Sequence, residues 1–499
     1  MTRANGSVII GAMVERRVRD RQIELLLAAI ALIGVALRVR QYAIGRSLWL
    51  DEASLGLNLR DQTFVDLLTD PLPGNQVAPS GFLAAVAVVT RTFGSSDQWL
   101  RVVPFLCGLV FVGLAWWFAR LHLRTAAAKV VFVASCTWEP VLVYYGSELK
   151  QFGTDAMVTL ALLGAVEGRH RRHGRRQLIG IGAVGLLLSH TSILVLAGVA
   201  LVLVVDAWPD RDWRSLLPYG VVWGAVGGLV GLQMLSSRGA QGLDDFWGDG
   251  FAPRPTSGTG LEWYWESALG LVHLATRHRG IAAQQQLDEW TSLGNVVVLL
   301  VGVTSVVIVA RCDPRRLLMP AGTVAAAIGL AAIDVYPFRG RLLIYLVPLV
   351  VFVVAVALDE IGPRWPAFAS LVTVAAIVPL AVAAVDILTD PEDRFDIVAA
   401  LERVEADIEP GDFIALGPLS RPAFDFYERD FDLANSTVVE VTDYDADVIA
   451  ASGGGARVWL VASHVVRDAE ERITAMDFSP LVLYRWDGDS VAVRLIGPA

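Results

Sequence analysis

The sequence predicts a polytopic α-helical membrane protein of about eleven transmembrane helices, followed by a soluble C-terminal α/β domain. Three observations predict it. Hydrophobic residues make up 54% of the 499-residue chain and its mean hydropathy is +0.52, far more apolar than a soluble chain of this length. The apolar residues fall in runs of roughly 17–25, the length that crosses about 30 Å of hydrocarbon, and not in the alternation of a membrane β-barrel. Charge is unevenly divided. Residues 388–499 hold 23 Asp and Glu against 9 Lys and Arg, a net of −14 in a chain of −10, so the apolar body stands at +4. An acidic tail on a mildly basic body points to two parts in different surroundings and argues against nucleic acid as a partner.

The predicted spans are 22–40, 100–120, 127–143, 150–167, 176–188, 192–207, 214–235, 291–311, 315–333, 341–358 and 365–387. The first is read as retained. Arg16, Arg17, Arg19 and Arg21 precede its apolar run, but Arg38, Gln41 and Tyr42 follow it with no small-residue cleavage pattern. The run 176–207 is too long for one span, and Ser189-His190-Thr191-Ser192 divides it.

Lysine and arginine set the sidedness. With the N-terminus in the cytoplasm, the loops Arg120–Lys129, Arg169–Arg176, Arg211–Arg214 and Arg311–Arg316 are all cytoplasmic and all basic. The parity requires Pro79–Phe93, which is apolar but short, to lie at the interface or re-enter on the outer face. If it spans, every later loop changes side. The outer face then carries a first loop, 41–99, the short turns Tyr144–Lys150 and Asp334–Arg341, and a long loop, 236–290. The chain divides into a membrane domain, 1–387, and an extracytoplasmic domain, 388–499. In the latter Asp393–Ile408 has helical periodicity, and Phe413–Leu416, Val458–Val461, Leu481–Tyr484 and Val491–Leu495 read as strands. Gly411-Asp412 and Asp487-Gly488-Asp489 are turn signals.

Cys107, Cys136 and Cys312 lack metal-ligand spacing and read as unpaired thiols. No Walker motif, dinucleotide fingerprint, nucleophile elbow or structural zinc pattern is present. No cofactor is expected, although a divalent metal is compatible with the carboxylates.

Chemistry concentrates in the outer segments. Asp51 and Glu52 follow the first span. They read either as a solvated acidic helix cap or as a general base with a neighbour that shapes its field, and Trp49 would fix their depth at the interface. The turn around Tyr145 holds Glu148, Lys150 and Gln151, with Asp155 four residues after Gln151 on one helix face. It is either an interfacial ion cluster or a site where Lys150 holds a phosphate and Glu148 positions sugar hydroxyls or water. Arg339 and Arg341 break the positive-inside trend, so they read as a lipid-phosphate anchor or as headgroup contacts, and Arg38 and Arg40 have the same two readings. Asp97 and Arg101, four apart, can simply pair. His190 reads more naturally as a structural hydrogen-bonding residue than as a catalyst. Trp247, Trp263, Trp265 and Trp290 read as an interfacial belt, or in part as sugar-stacking rings.

Four segments in order resemble the GT-C membrane glycosyltransferases, the broad group that includes protein O-mannosyltransferases and the lipid A aminoarabinose transferase. They are Leu48-Trp49-Leu50-Asp51-Glu52-Ala53, Gln76-Val77-Ala78-Pro79-Ser80-Gly81-Phe82-Leu83, Leu100-Arg101-Val102-Val103-Pro104, and Tyr144-Tyr145-Gly146-Ser147-Glu148-Leu149-Lys150-Gln151-Phe152. Tyr336-Pro337-Phe338-Arg339-Gly340-Arg341 resembles bacterial members. Each motif is loose alone; order and sidedness make the resemblance specific, and it extends to about residue 360. Ala78-Pro79-Ser80 departs from the His-Pro-Pro form of the interfacial motif, so sugar and acceptor stay unnamed.

The resemblance implies a polyprenyl-phosphate-sugar donor, transfer on the outer face of the cytoplasmic membrane, and a first-loop carboxylate as base, which maps onto Asp51. The acceptor would be a hydroxyl of an envelope glycan, lipid or protein. The expected catalytic residues are Asp51, Glu52 and Glu148. Lys150, Arg339, Arg341 and Arg38 would bind the donor phosphate, and Tyr145, Gln151, Asp155 and Arg101 would position substrate. A single displacement would invert the anomeric carbon. The competing expectations are a lipid-sugar transporter or flippase, which would line the mid-membrane with polar groups, and a non-catalytic protein that binds envelope components.

Overall fold

The computed structural model describes residues 2–237, 248–253, 258–274, 293–393, 395–442, 444–463, 467–477, 479–488 and 490–498. The chain forms two compact units. The first is Met1–Ala43, Ala78–Phe82 and Val102–Glu392; the second is Ile44–Val77, Leu83–Arg101 and Asp393–Ala499.

The first unit is helical. All eleven predicted apolar segments coincide with helices. Five helices among the described residues are long and apolar enough to cross a membrane, namely Arg17–Ala43, Asp97–His122, Trp213–Leu232, Gly340–Ile361 and Pro366–Thr389. A sixth is the bent pair Ala126–Trp138 and Pro140–Ser147, which turns by 51°. Pro140 supplies the break, since it has no N–H to continue the ladder. Leu293–Cys312 has 20 residues and the remaining apolar helices are shorter; Phe152–Glu167 and Ser192–Ala207 have 16 residues each and Gly174–Leu188 has 15. The protein is an integral membrane protein by the number and apolarity of these helices.

Small residues let the helices meet. A Cβ on Gly198 would collide with the Met319 carbonyl and the Thr323 hydroxyl, so Ser192–Ala207 and Leu318–Ala331 pack backbone to backbone. Gly81 likewise seats the start of helix Ser80–Phe93 against the Leu187 carbonyl. That helix has 14 residues, about 21 Å of rise against about 30 Å of hydrocarbon.

Polar contacts close several helix ends. Asp359, buried in Val347–Ile361, accepts from the amides of Arg124 at 2.9 Å and Thr125 at 2.7 Å and from the Thr125 hydroxyl at 2.9 Å. It thereby caps the helix that begins at Ala126, from a distant part of the chain. Arg124 pairs with Glu360 at 2.5 Å, Arg169 with Asp206 at 2.6 Å and Arg316 with Glu167 at 3.3 Å. These arginines are drawn from the basic loops. Trp208, Trp213 and Trp365 are exposed nearby in sequence, as interfacial tryptophans are.

The second unit contains a five-stranded sheet: β1 (Phe413–Leu416), β2 (Thr437–Glu440), β3 (Val458–Ser463), β4 (Val482–Asp487) and β5 (Val491–Ile496). Its order is β2-β1-β3-β5-β4. β1 runs parallel to β2 and β3, and β5 runs antiparallel to β3 and β4. The interior strands β3 and β5 are buried at every residue, which is why they read as largely apolar runs, interrupted in β5 by Arg494. Edge strand β4 alternates between half-buried and exposed. The sequence predicts four of these strands and not β2. β2 is four residues long with no fully buried side chain, so it carries no apolar signature. The predicted helix Asp393–Ile408 begins later, at Ile397, and ends at Asp407.

Two arginine pairs, one buried and one half-buried, hold this sheet. Arg494, 2% exposed, binds Asp477 at 2.5 Å and Asp487 at 2.7 Å. Arg457 binds Asp412 at 2.7 Å, and Asp412 also accepts from the Trp459 indole at 3.1 Å and the Glu409 amide at 3.0 Å.

Candidate active site

In the second unit, helix Leu50–Asp61 starts directly after Trp49. The Trp49 amide donates to Glu52 Oε2 at 3.1 Å, the backward half of a capping box. Asp51 and Glu52 occupy the first turn, where the helix dipole favours negative charge. The two carboxylates have different fates. Glu52 is fully buried and binds Arg101 through Nε at 2.7 Å and Nη2 at 2.6 Å. Asp51 is half-buried.

Arg101 does not pair with Asp97. Besides Glu52 it donates to the carbonyls of Arg46 and Ser47. Asp97 instead accepts at 2.8 Å from the hydroxyl of Tyr427, which in turn accepts from the Leu48 amide at 2.7 Å. The i,i+4 spacing of Asp97 and Arg101 is real, but each side chain finds a partner far away in sequence. Burial, with the Asp97 charge beside it, pushes the Tyr427 phenol well above its ordinary value, so it remains a neutral donor. Sequence reasoning misses Tyr427, since one tyrosine in a short helix carries no local signal.

The helix Arg421–Tyr427 packs on Leu50–Asp61. Arg60 Nη1 donates to the Phe426 carbonyl at 3.0 Å and its guanidinium lies 5.5 Å from the Phe426 ring centroid. The missing side chain at Gly56 leaves room for that ring.

In the first unit, the turn after the Pro140 break carries the second set. Tyr145–Ser147 is a 3-10 turn and helix Phe152–Glu167 follows. Tyr145, Glu148, Lys150 and Asp155 are all buried. The sequence predicts a short outer turn here, and the structure buries its polar side chains. Gly153 comes within contact of the Tyr145 carbonyl and Gly146, and that approach folds the turn into the protein. Buried ionisable groups in one turn are costly unless they are partnered or used.

Asp155 lies beside the Ser189 and Thr191 hydroxyls and near Tyr345 and Tyr336. Ser189 and Thr191 belong to the turn that divides the run 176–207, and His190 between them is half-buried. Gln151 Oε1 and the buried Tyr345 hydroxyl have no hydrogen-bond partner among the described residues. Arg341 sits 5.4 Å from the centroid of the Phe152 ring, which itself meets Tyr145 edge-on. Arg339 is exposed. Trp263 is half-buried against Phe338 and Trp265 is exposed. Trp247 and Trp290 lie outside the described residues.

Arg38 takes a different place from a headgroup anchor. It is 1% exposed, and its Nη1 donates to the Thr137 carbonyl at 2.7 Å and to Gly34 at 3.2 Å, with Nη2 at 3.5 Å from the Cys136 carbonyl. The Cys136 and Thr137 carbonyls end the helix before the Pro140 break, so the guanidinium satisfies groups that the break leaves open. Arg40 donates to the Leu388 carbonyl. Glu139 escapes sequence reasoning. It is 1% exposed at the break, and neither carboxyl oxygen has a hydrogen-bond partner among the described residues. A carboxylate inside the predicted span 127–143 is the signal that could have found it. No group of three or more His, Cys, Asp or Glu among the described residues could hold a metal ion.

The structure resembles the crystal structure of ArnT from Cupriavidus metallidurans bound to undecaprenyl phosphate. The TM-score is 0.51 at 15% sequence identity, over 95% of this chain and 99% of that one. ArnT in the apo state gives 0.51 at 16% identity over the same shares. The chain has the ArnT fold. The sequence matches no protein-family model and no curated protein. The ArnT fold is thus the level at which the resemblance to GT-C membrane glycosyltransferases stands, and it extends over nearly the whole chain, beyond the four motifs.

Proposed function

We propose that the chain is a membrane glycosyltransferase that moves a sugar from a polyprenyl-phosphate-linked donor to a hydroxyl acceptor. The observation that carries this is the division of labour between adjacent acids. Arg101 holds Glu52 as a buried counter-ion, and Asp51 beside it stands half-buried in the first turn of its helix. A similar fold, ArnT, has been crystallised with undecaprenyl phosphate.

Asp51 takes the proton of the acceptor hydroxyl as the oxygen attacks the anomeric carbon. The C–O bond to the lipid phosphate breaks, its electrons leave with the phosphate, and one displacement inverts the carbon. Lys150 and Arg341, with Arg339 at the exposed end of the same segment, stabilise the charge growing on the leaving phosphate. Glu148, Tyr145, Gln151 and Asp155 position the sugar. Glu52 and Arg101 act by positioning Asp51. Arg38 takes no part in this reading, because its Nη atoms serve the helix break.

The topology proposed with it has eleven crossings, the N-terminus in the cytoplasm, and both Asp51 and residues 388–499 outside. The coincidence of all eleven apolar segments with helices supports it, as does the run of basic loops on one side. Helices of 15 and 16 residues cross where the bilayer thins around them.

Purified protein supplied with a panel of polyprenyl-phosphate sugars and acceptor hydroxyls tests the reading through released lipid phosphate. Asp51→Asn is expected to lower turnover by about 10²–10⁴-fold while leaving thermal stability unchanged. Near-normal turnover would remove Asp51 as base. Glu139 supports a second reading, transport of the lipid-linked sugar, because a buried carboxylate inside a span suits a translocation path. Movement of the intact donor between leaflets without release of lipid phosphate would decide for it.

A further inference from the structure

The run Arg46–Glu52 carries Asp51 and is held from both sides of it. After Asp51, Arg101 grips Glu52, and the same guanidinium reaches back to the carbonyls of Arg46 and Ser47. Before Asp51, the Leu48 amide donates to the Tyr427 oxygen at 2.7 Å, and the Tyr427 hydroxyl donates to Asp97 at 2.8 Å. Asp97 and Arg101 are four apart on one helix, so both holds end on one face of one element. Arg101 comes from the same sequence region as the run it grips. Tyr427 comes from the α/β domain.

We propose that Tyr427 is a positioning residue, through which the C-terminal domain fixes the geometry of the Asp51 loop. This rests on the function proposed above. The hydroxyl is not needed to dock its own helix, since Phe426 and Arg60 already join that helix to Leu50–Asp61. Its particular contribution is the Leu48 amide, which is buried with its residue and, among the described residues, bonds the Tyr427 oxygen alone. A phenol that accepts from one group and donates to another fixes both, which neither phenylalanine nor a water-filled gap would do.

The test compares full-length wild type, Tyr427→Phe and Asp51→Asn, with Tyr484→Phe on strand β4 as a control. In Tyr427→Phe, amide hydrogen exchange across 46–53 is expected to rise about tenfold with β3 unchanged. Turnover is expected to fall about 10- to 100-fold with donor KM unchanged, because a displaced base loses kcat and not ground-state binding. Unchanged exchange at 46–53 would overturn the positioning role. So would faster exchange with wild-type kcat in a protein that Asp51→Asn inactivates. Loss of β3 protection together with the loop would overturn it too, by making Tyr427 a general structural residue. Retained turnover in Asp51→Asn instead removes Asp51 as the base of the reaction proposed above, and leaves the exchange result to judge the segment on its own.

Discussion

Arg101 and Glu52, 49 positions apart, meet as a two-pronged ion pair at 2.7 and 2.6 Å in the interior of their unit. A buried pair of this kind contributes little net stability when intact but costs about 3–5 kcal/mol when one partner is removed. Arg101→Met is therefore expected to lower the thermal midpoint sharply, and Arg101→Met with Glu52→Gln to recover part of the loss. Arg421→Ala removes an exposed pair with Asp425 and should cost at most about 1 kcal/mol. Thermal unfolding of the purified variants measures all three; equal effects of Arg101→Met and Arg421→Ala would refute the buried role.

Lys150 and Arg341 are assigned to the leaving phosphate. Lys150→Ala and Arg341→Ala should each raise the apparent donor KM about tenfold, near 1.4 kcal/mol of lost binding. Arg421→Ala should leave KM alone. If all three variants behave alike, the two cations only touch headgroups.

Asp359 closes a helix start and has no part in the proposed chemistry. Asp359→Ala leaves the amides of Arg124 and Thr125 without their acceptor and should destabilise the protein by about 1–3 kcal/mol. Turnover per folded molecule should be unchanged. A variant that keeps its melting temperature but loses kcat would contradict the assignment.

Asp412 gives the second unit an acid-sensitive point. Burial acts to raise its carboxyl, but hydrogen bonds from Arg457, the Glu409 amide and Trp459, together with the Arg457 charge, outweigh it. The group sits below its ordinary value. Its contribution is therefore present above the unfolded pKa of about 3.9 and is lost as pH falls through the lower folded value. Arg457→Met removes the main opposing influence, so the folded pKa rises and acid unfolding should begin at higher pH. Protease sensitivity of residues 393–499 along an acid titration measures this, and an unmoved midpoint would count against it.

The membrane body is legible in the sequence because length and hydropathy suffice to mark a helix that must satisfy its own backbone. The buried turn after Tyr144 is not. Polar residues between two apolar runs read as a loop, and neither the bend at Pro140 nor the close approach of Gly153 to the Tyr145 carbonyl is announced by the run itself. Partner choice is the harder problem. Arg101 has Asp97 within helical reach yet binds Glu52, because Tyr427 from the far end of the chain takes Asp97. β2 and Tyr427 share a difficulty: neither has a neighbour in sequence that betrays its role.

The cap that Asp359 provides reaches back 235 residues to Arg124. During synthesis, the Thr125 hydroxyl can bond the Ala128 amide from the start, but the amides of Arg124 and Thr125 lack their carboxylate until the stretch around Asp359 has left the ribosome. Maturation of the bundle is thus a late event. In a nascent chain stalled before that point those two amides have water as the available substitute for the missing carboxylate.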